Sequence, residues 1–243
     1  MNLFNELLSQ NKKLHFSLID PDKQTFEEAG KRAETCAQYG TNAIMIGGTT
    51  VKDRETVYNT IQAIKKNTNI PTILFPNSAD MLSKNADYIF FMKLLNSKED
   101  KYQILEQMKG APLVKKWNII PIPTAYLVIS TSKKPTTVEK NVKLHKIGID
   151  DITKAVQYSV YAEMSGMHCI YLEAGSDAEQ PVSTEMIKAI RGEIKIPIIV
   201  GGGIKNPDIA KEKTQAGADI IVNGTATEEN IKIIKNIIQS IQS

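Results

Sequence analysis

Two short apolar runs that each end at glycine constrain the fold of this chain more than any other feature. The first run, IPIIV at 196–200, stops at Gly201-Gly202-Gly203, and the second, ADIIV at 218–222, stops at Asn223-Gly224. Such β-branched runs, bounded by turn residues, are typical of fully buried parallel strands. A helix is predicted to open after each loop, near Pro207 and near Glu228. The sequence therefore predicts two successive βα units in the last quarter of the chain.

The paired glycine loops are candidate anion sites. Each offers bare backbone N–H groups and the positive end of a helix dipole. In a (β/α)8 barrel, the loops after strands seven and eight form the usual phosphate site. Glycines also serve as plain turn residues, and one glycine triplet alone would leave that interpretation open. The pairing of two loops favours phosphate binding.

The rest of the chain alternates in the same way. Earlier strands are predicted at 14–19, 43–46, 71–75, 88–92, 119–129 and 169–173, and helices at 26–39, 53–67, 98–109, 151–164, 184–191, 207–216 and 228–241. This alternation predicts an α/β fold, a closed (β/α)8 TIM barrel, although an open doubly wound sheet fits the pattern too. A chain of 243 residues with 42% hydrophobic content is expected to form one barrel domain, 1–243.

A weak internal repeat indicates that the third helix is short. Ile-Pro at 70–71 and Ala-Asp at 86–87 recur as Ile-Pro at 196–197 and Ala-Asp at 218–219. The first pair is 16 residues apart (70 to 86) and the second is 22 apart (196 to 218). Six residues are nearly two turns of helix at ~3.6 residues per turn. Segment 77–85 is therefore predicted to hold a reduced third helix or none.

Composition excludes several classes of function. A formal net charge of +3 is too small for a nucleic-acid-binding balance and suits anionic small substrates. Cys36 and Cys169 are predicted core thiols of a protein in a reducing compartment, and no zinc-type spacing occurs. Segment 1–11 lacks the pattern of a signal peptide, and no window is long enough to span a membrane. We expect a cytoplasmic protein.

The longest irregular stretch, Ser130–Asp150, carries five lysines: Lys133, Lys134, Lys140, Lys143 and Lys146. It follows strand five and so is expected on the catalytic face. A mobile lid over a charged ligand and a solvated surface loop are both open interpretations. The histidines, His15, His145 and His168, have no obvious partners in the sequence.

Oxygen-bearing side chains follow three of the predicted strands, where barrel enzymes place their active sites. Asp20 ends strand one and Thr49 follows strand two, and together they offer the oxygen ligands that suit Mg²⁺ shared with substrate phosphates. Glu173 ends strand six, two residues after Tyr171. It could pair with a lysine, but its place between Tyr171 and a Gly-Ser turn favours a role at a substrate hydroxyl.

Six motifs resemble the geranylgeranylglyceryl phosphate synthase family. They are LIDPDK at 18–23, MIGGT at 45–49, IPIPTAY at 120–126, YLEAGS at 171–176, GGGI at 201–204 and VNGT at 222–225. They span nearly the whole chain in the family's order. The resemblance implies a modified (β/α)8 barrel with a reduced third helix. It also implies an ether-lipid enzyme that joins the C3 hydroxyl of sn-glycerol 1-phosphate to a prenyl diphosphate, with geranylgeranyl diphosphate as the expected donor and Mg²⁺ as cofactor.

The resemblance can be carried over by position. It implies Asp20 and Thr49 at the metal. As a mechanistic hypothesis beside it, we expect Glu173 to be the catalytic residue that orients the attacking hydroxyl and takes its proton. The positions implied around sn-glycerol 1-phosphate are Tyr171, Leu172, Glu173, Ala174, Gly175, Ser176, Gly202, Gly203, Gly224 and Thr225. Two departures from the family pattern are Asp177, where glycine is usual, and the lysine-rich segment Ser130–Asp150. A homo-oligomer is expected, as is peripheral membrane contact through the lipid product.

Two other functions share the same phosphate loops. One is a barrel isomerase or cyclase acting on another phosphorylated small molecule, but such sites usually place a second acid or a lysine base opposite the first. Strand five ends in TAYL at 124–127 and offers neither. The other is a barrel that binds a phosphorylated ligand as a sensor without catalysis.

Overall fold

The protein, represented by a computed structural model, is described over residues 13–51, 53–176 and 178–242. Within these ranges, parallel strands close into a barrel in chain order. They are β1 Leu14–Ile19, β2 Ala43–Ile46, β3 Thr72–Leu74, β4 Tyr88–Leu94, β5 Ile120–Val128, β6 Cys169–Glu173, β7 Ile198–Gly201 and β8 Ile220–Asn223. The predicted barrel is confirmed, and the open sheet is excluded because β1 pairs with both β2 and β8. The expectations for 1–11 and for Asp177 lie outside the described residues.

The helices follow the strands on the outside of the barrel. They are α1 Phe26–Tyr39, α2 Arg54–Asn67, α3 Glu106–Lys116, α4 Thr137–Asn141, α5 Ile152–Met164, α6 Thr184–Glu193, α7 Pro207–Gln215, α8 Thr225–Glu229 and α9 Ile231–Gln242. Their ends follow local chemistry. Thr25 and Glu28 form a reciprocal capping box at the start of α1, and Gly40 ends that helix in the left-handed region at φ 100°.

The position of the third barrel helix holds only the three-residue 3-10 helix Ala79–Met81. The predicted reduction is therefore confirmed. A neighbouring helix partly covers the opening: the Glu106 carboxylate of α3 accepts a hydrogen bond from the Ala79 N–H at 2.7 Å. Gly110 of α3 packs so closely on Leu82 that an added Cβ would lie 2.7 Å from its Cδ1. The outer wall is thin here, and α3 leans across the gap.

Two predicted helix boundaries are wrong. The helix predicted at 98–109 begins as a single π-helical turn, Lys101–Leu105, and continues as α3 to Lys116 through Pro112. Proline favours an earlier end, but Val114 is buried in the core and outweighs that local preference. The helix predicted at 228–241 is two helices, because α8 starts at Thr225 and ends before Asn230, and α9 begins at Ile231.

The apolar core lies in two layers because the strands bury residues on both faces, although Ile120 and Pro121 at the start of β5 are exposed. Phe16, Phe90 and Val222 point into the barrel, whereas Leu172 and Ile221 point outward against the helices. This arrangement explains why the strands read as continuous apolar runs rather than alternating ones.

The two thiols belong to this core, as predicted. Cys36 and Cys169 are buried and form no disulfide, and burial raises the pKa of Cys169 to about 12. Among the described residues, none of the helices combines the length and hydropathy that a membrane crossing needs.

Candidate active site

A cavity of about 630 Å³ opens at the carboxyl ends of the strands. Its position follows from the fold, because the loops after parallel barrel strands converge at this end. The walls include Asp20, Thr49, Tyr126, Glu173, Ser176 and Thr225. The cavity thus brings together residues that are up to about 200 positions apart in the chain, from Asp20 to Thr225.

Glu173 is one of two buried carboxylates among the described residues of this cavity, and Asp20 is the other. Glu173 Oε1 accepts a hydrogen bond from the Gly175 N–H at 2.7 Å, and the phenols of Tyr126 and Tyr171 also donate to this carboxylate. Burial raises the pKa of Glu173, whereas these three donors lower it. Burial, together with the neighbouring carboxylate, raises the pKa of both phenols well above 10. The site therefore pairs a desolvated carboxylate, which can accept a proton, with phenols that stay protonated donors.

An aromatic cluster beneath the cavity fixes the two phenols. The rings of Tyr126 and Tyr171 meet edge to face, with centroids 5.3 Å apart. Phe75 stacks on Tyr171 at 5.6 Å, and Phe90 contacts Tyr171 at 6.4 Å. Edge-to-face and offset stacked pairs are favourable geometries, so the hydroxyls are held in place by packing as well as by Glu173.

Glycine is required in the loops next to Glu173. Gly175, Gly202 and Gly203 have φ of +99°, +82° and +71°, which L side chains rarely adopt. An added Cβ on Gly202 would lie 2.7 Å from both Glu173 Oε1 and the Gly175 nitrogen. One on Gly203 would lie 2.7 Å from the Pro181 nitrogen. The loops after β6 and β7 therefore pack backbone against backbone around the carboxylate.

Gly224 differs from these glycines. Its φ is −111°, and the nearest atom to an added Cβ is Leu18 Cδ2 at 3.3 Å. Its carbonyl accepts a hydrogen bond from the Thr227 N–H at 2.9 Å in the first turn of α8. Gly224 thus caps a short helix at the cavity wall, with Thr225 beside it.

The predicted substrate positions fall into three groups. Five line the cavity: Glu173, Gly175, Ser176, Gly224 and Thr225. Gly202 and Gly203 lie directly behind the loop of Gly175, and Tyr171 is 1% exposed beneath Glu173. The side chains of Leu172 and Ala174 instead pack in the outer core. A contact from those two residues to a bound molecule would have to come from the main chain.

Asp20 and Thr49 lie in the same cavity. Asp20 accepts a hydrogen bond from the Asp22 N–H at 3.1 Å, and an added Cβ on Gly48 would lie 2.3 Å from its Oδ1. Burial raises the pKa of Asp20; the Asp22 N–H and the Lys23 charge lower it, and the carboxylates of Asp22 and Glu228 add to the increase. The glycine at 48 is therefore what leaves room for the Asp20 carboxylate.

Asn77 holds the loop that carries Thr49. Its Nδ2 donates to the carbonyls of Gly48, Thr49 and Val51 at 2.9, 3.1 and 3.0 Å. One side chain of the shortened third βα unit therefore braces the whole turn after β2.

These residues match one kind of cation site. The described ranges contain no cluster of three His, Cys, Asp or Glu side chains able to enclose a metal ion. A single buried carboxylate with a nearby hydroxyl suits Mg²⁺ that takes its remaining ligands from phosphates and water. Asp20 suits the carboxylate part of such a site, because a cation would favour the ionised form that burial opposes. Thr49 lines the same cavity, and the metal role of both residues stays a prediction.

Part of the cavity lining, here called the apolar branch, consists of residues beside the thin part of the barrel wall. The residues lining this branch are Ala79, Leu82, Ile89, Met92, Tyr102 and Gly110. They come from the 3-10 helix and the residue after it, from β4, from the π-helical turn and from α3. The branch lies where the sequence predicts a gap beside the reduced third helix.

Segment Ser130–Asp150 forms part of the cavity wall. Thr131 Oγ1 donates to the Gln180 carbonyl at 2.6 Å, and Ser132 Oγ accepts from the Glu179 N–H at 2.9 Å. Helix α4 within this segment contributes Val138 to the lining. The catalytic-face position is confirmed, and lid motion stays a prediction.

Sequence reasoning overlooked three polar residues near the site. Tyr126 ends the IPIPTAY motif, and its position at the carboxyl end of β5 was the available signal. Asn77 carries no sequence signal, because its three acceptors lie in another loop. His15 was expected to lack a partner, which is wrong: Nδ1 lies 3.0 Å from Thr41 Oγ1 and Nε2 lies 3.1 Å from Asn223 Oδ1.

Comparisons with known proteins agree with this site. The model of the PcrB family matches residues 7–241. The geranylgeranylglyceryl phosphate synthase of Pyrococcus abyssi is 44% identical over 231 residues, covering 94% of this chain and 90% of that protein. That of Thermoplasma volcanium is 41% identical, covering 96% of this chain and 93% of that protein.

Solved structures are similar as well. The (S)-3-O-geranylgeranylglyceryl phosphate synthase of Thermoplasma acidophilum, solved with its substrate sn-glycerol 1-phosphate, superposes with a TM-score of 0.94 at 38% identity, covering 100% of this chain and 99% of that one. The predicted resemblance is confirmed: the chain belongs to the PcrB family, together with relatives named geranylgeranylglyceryl phosphate synthase.

Proposed function

We propose that this protein joins the C3 hydroxyl of sn-glycerol 1-phosphate to a prenyl diphosphate, expected to be geranylgeranyl diphosphate, in ether-lipid synthesis. The observation that carries the proposal is the placement of Glu173. It is a buried, phenol-bound carboxylate beside two glycine-bearing loops, those after β6 and β7, and it shares one cavity with Asp20. The similarity to the synthase of Thermoplasma acidophilum bound to sn-glycerol 1-phosphate supports the same substrate.

The glycerol phosphate is assigned to the side of the cavity formed by the loops after β6, β7 and β8. Their glycines carry no side chains that could cover a ligand, and α7 and α8 begin after these loops. Backbone N–H groups and helix N-termini bind phosphate well. Fixing the phosphate there orients the glycerol hydroxyl, which turns a bimolecular encounter into a positioned one.

Glu173 is assigned as the residue that receives the proton. As the C3 oxygen forms its bond to C1 of the prenyl chain, the hydroxyl proton passes to the Glu173 carboxylate. The bond between C1 and the diphosphate oxygen breaks, and its electron pair leaves with the diphosphate. Tyr126 and Tyr171 hold the carboxylate in position, and burial keeps its pKa raised toward the range useful for a base.

The diphosphate is assigned to the side of the cavity formed by the loops after β1 and β2, where Asp20, Lys23 and Thr49 line the wall. Asp20 and Thr49 would hold Mg²⁺ there. Bound Mg²⁺ would supply electrostatic stabilisation of the leaving diphosphate. The apolar branch between the 3-10 helix and α3 then takes the prenyl tail. The length of this branch sets the length of the prenyl chain that the enzyme accepts.

The direct test incubates purified protein with labelled sn-glycerol 1-phosphate, Mg²⁺ and prenyl diphosphates of increasing chain length. We expect a prenylglyceryl phosphate product and equimolar diphosphate. Glu173→Gln should lower the rate by about two to four orders of magnitude. A barrel isomerase or cyclase would consume a phosphorylated substrate without any prenyl donor, and a sensor would bind the phosphate without turnover.

Two further expectations accompany this proposal. A homo-oligomer would appear as a multiple of 27.0 kDa in light scattering. A cytoplasmic location would appear in fractionation of the source cells.

A further inference from the structure

We propose that His15 is a positioning residue that sets the affinity for sn-glycerol 1-phosphate by holding the two glycine loops, 201–204 and 223–225, in register through Asn223. The proposal rests on the proposed function. His15 is fully buried on β1 and does not line the cavity. It therefore acts through other residues and not by contact with the substrate.

The side chain of Asn223 ties the two loops together. It lies at the end of β8, and its Nδ2 donates to the Ile204 carbonyl, which closes the loop after β7, at 2.7 Å. Its Oδ1 lies 3.1 Å from His15 Nε2. Its main-chain carbonyl accepts from the Thr227 hydroxyl at 3.1 Å, inside α8. One residue thus connects β1, the first glycine loop and the helix that follows the second.

The positions of the protons in this hydrogen-bond network follow from one group that can only accept. The Ile204 carbonyl can only accept, so the Asn223 amide nitrogen must face it and the amide oxygen must face His15. His15 Nε2 therefore carries the proton, and Nδ1 accepts from the Thr41 hydroxyl at 3.0 Å. Ser17 then donates to Thr41 Oγ1 at 3.1 Å. With His15 present, the Asn223 amide has one satisfied orientation.

This arrangement matters for the ligand because the first loop depends on contacts with neighbouring segments for its order. Gly202 and Gly203 carry no side chains and occupy positive φ. Glycine also loses more conformational freedom on ordering than any other residue. The amides that would meet a phosphate lie between two fixed points, β7 and the Ile204 carbonyl. Releasing the second point lets the loop sample geometries in which those amides no longer converge on one oxygen.

The test compares His15→Leu with His15→Gln. Leucine removes the donor to Asn223, whereas the Gln amide nitrogen can occupy the place of Nε2. We expect His15→Leu to raise the Kd for sn-glycerol 1-phosphate, measured by calorimetry, and its KM by about tenfold, as expected from one lost hydrogen bond. The KM for prenyl diphosphate should stay within about twofold. His15→Gln should restore most of the affinity.

Two further variants keep the test decisive. Thr41→Val removes the donor to His15 Nδ1 and should also weaken sn-glycerol 1-phosphate binding. It provides the test if His15→Leu does not fold. Val57→Ala, a buried truncation in α2 away from both loops, is the control for lost stability alone. The proposal would be overturned if His15→Leu changed the KM values of both substrates equally. It would also be overturned if His15→Leu and Thr41→Val bound sn-glycerol 1-phosphate as tightly as the parent protein does. A parent protein that does not bind sn-glycerol 1-phosphate would instead refute the proposed function.

Discussion

Gly202→Ala tests whether the packing of the glycine loops shapes the phosphate site. The new Cβ would lie 2.7 Å from both Glu173 Oε1 and the Gly175 nitrogen, at a φ of +82°. The left-handed backbone costs an alanine roughly 1–2 kcal/mol, and forcing a methyl group into a packed site costs roughly 1–3 kcal/mol. Together these give about 2–5 kcal/mol against the native loop.

The loop relieves this strain by moving away from Glu173, so the cost falls on ligand binding. At about 1.4 kcal/mol per tenfold, the lower figure already corresponds to about 30-fold weaker binding. Calorimetric titration of sn-glycerol 1-phosphate into Gly202→Ala, with urea unfolding of the same sample, separates lost affinity from lost stability.

Two matched glycine substitutions serve as controls. Gly192 lies in α6 with open space within 4 Å of an added Cβ, so Gly192→Ala should stabilise the protein by about 1 kcal/mol without changing affinity. Gly224→Ala, at a φ of −111° with a 3.3 Å contact, should cost far less than Gly202→Ala. If Gly202→Ala binds sn-glycerol 1-phosphate within twofold of the parent, the reasoning about these loops is refuted.

Three other substitutions probe the remaining parts of the site. Gly48→Ala should displace the Asp20 carboxylate. The KM for prenyl diphosphate and the Mg²⁺ concentration needed for activity should rise, while the Kd for sn-glycerol 1-phosphate stays unchanged. An unaltered Mg²⁺ dependence of the rate would contradict this role for Asp20. Tyr126→Phe removes a donor that lowers the pKa of Glu173, so the acidic limb of the kcat/KM profile should move to higher pH, and a stationary limb would show that Glu173 is not the group titrating. Burial lowers the pKa of His15 from 6.5 to about 4, so between these pH values the unfolded chain binds a proton that the folded protein does not. The free energy of unfolding should therefore fall by about 3 kcal/mol as the pH drops through this window. Urea unfolding of His15→Gln at the same pH values should lack this contribution to the pH dependence of stability.

The barrel and its reduced third helix could be predicted because both depend on local patterns. Buried strands read as apolar runs, and the shorter interval before residue 86 leaves too few residues for a helix. The glycine loops were also readable, since Gly202 and Gly203 mark backbone that only glycine adopts easily.

What the sequence could not supply is contacts between distant residues. His15 and Asn223 are separated by 208 positions, and neither has a local pattern that marks it as paired. The course of α3 through Pro112 depends on packing of Val114, which overrides local preference. The outward direction of Leu172 and Ala174 follows from strand alternation once Glu173 is known to face inward, but a run buried on both faces hides that alternation.

Pairing of the first strand with the last has a consequence for how the protein is made. β1 cannot complete its hydrogen bonds until β8 has been synthesised, because His15 pairs with Ile221. A nascent chain that stops before that point exposes two open sheet edges, which invite association with other chains. Ribosome-bound fragments ending near residue 215 should therefore depend on chaperones, and longer chains should gain protease resistance only once β8 has emerged.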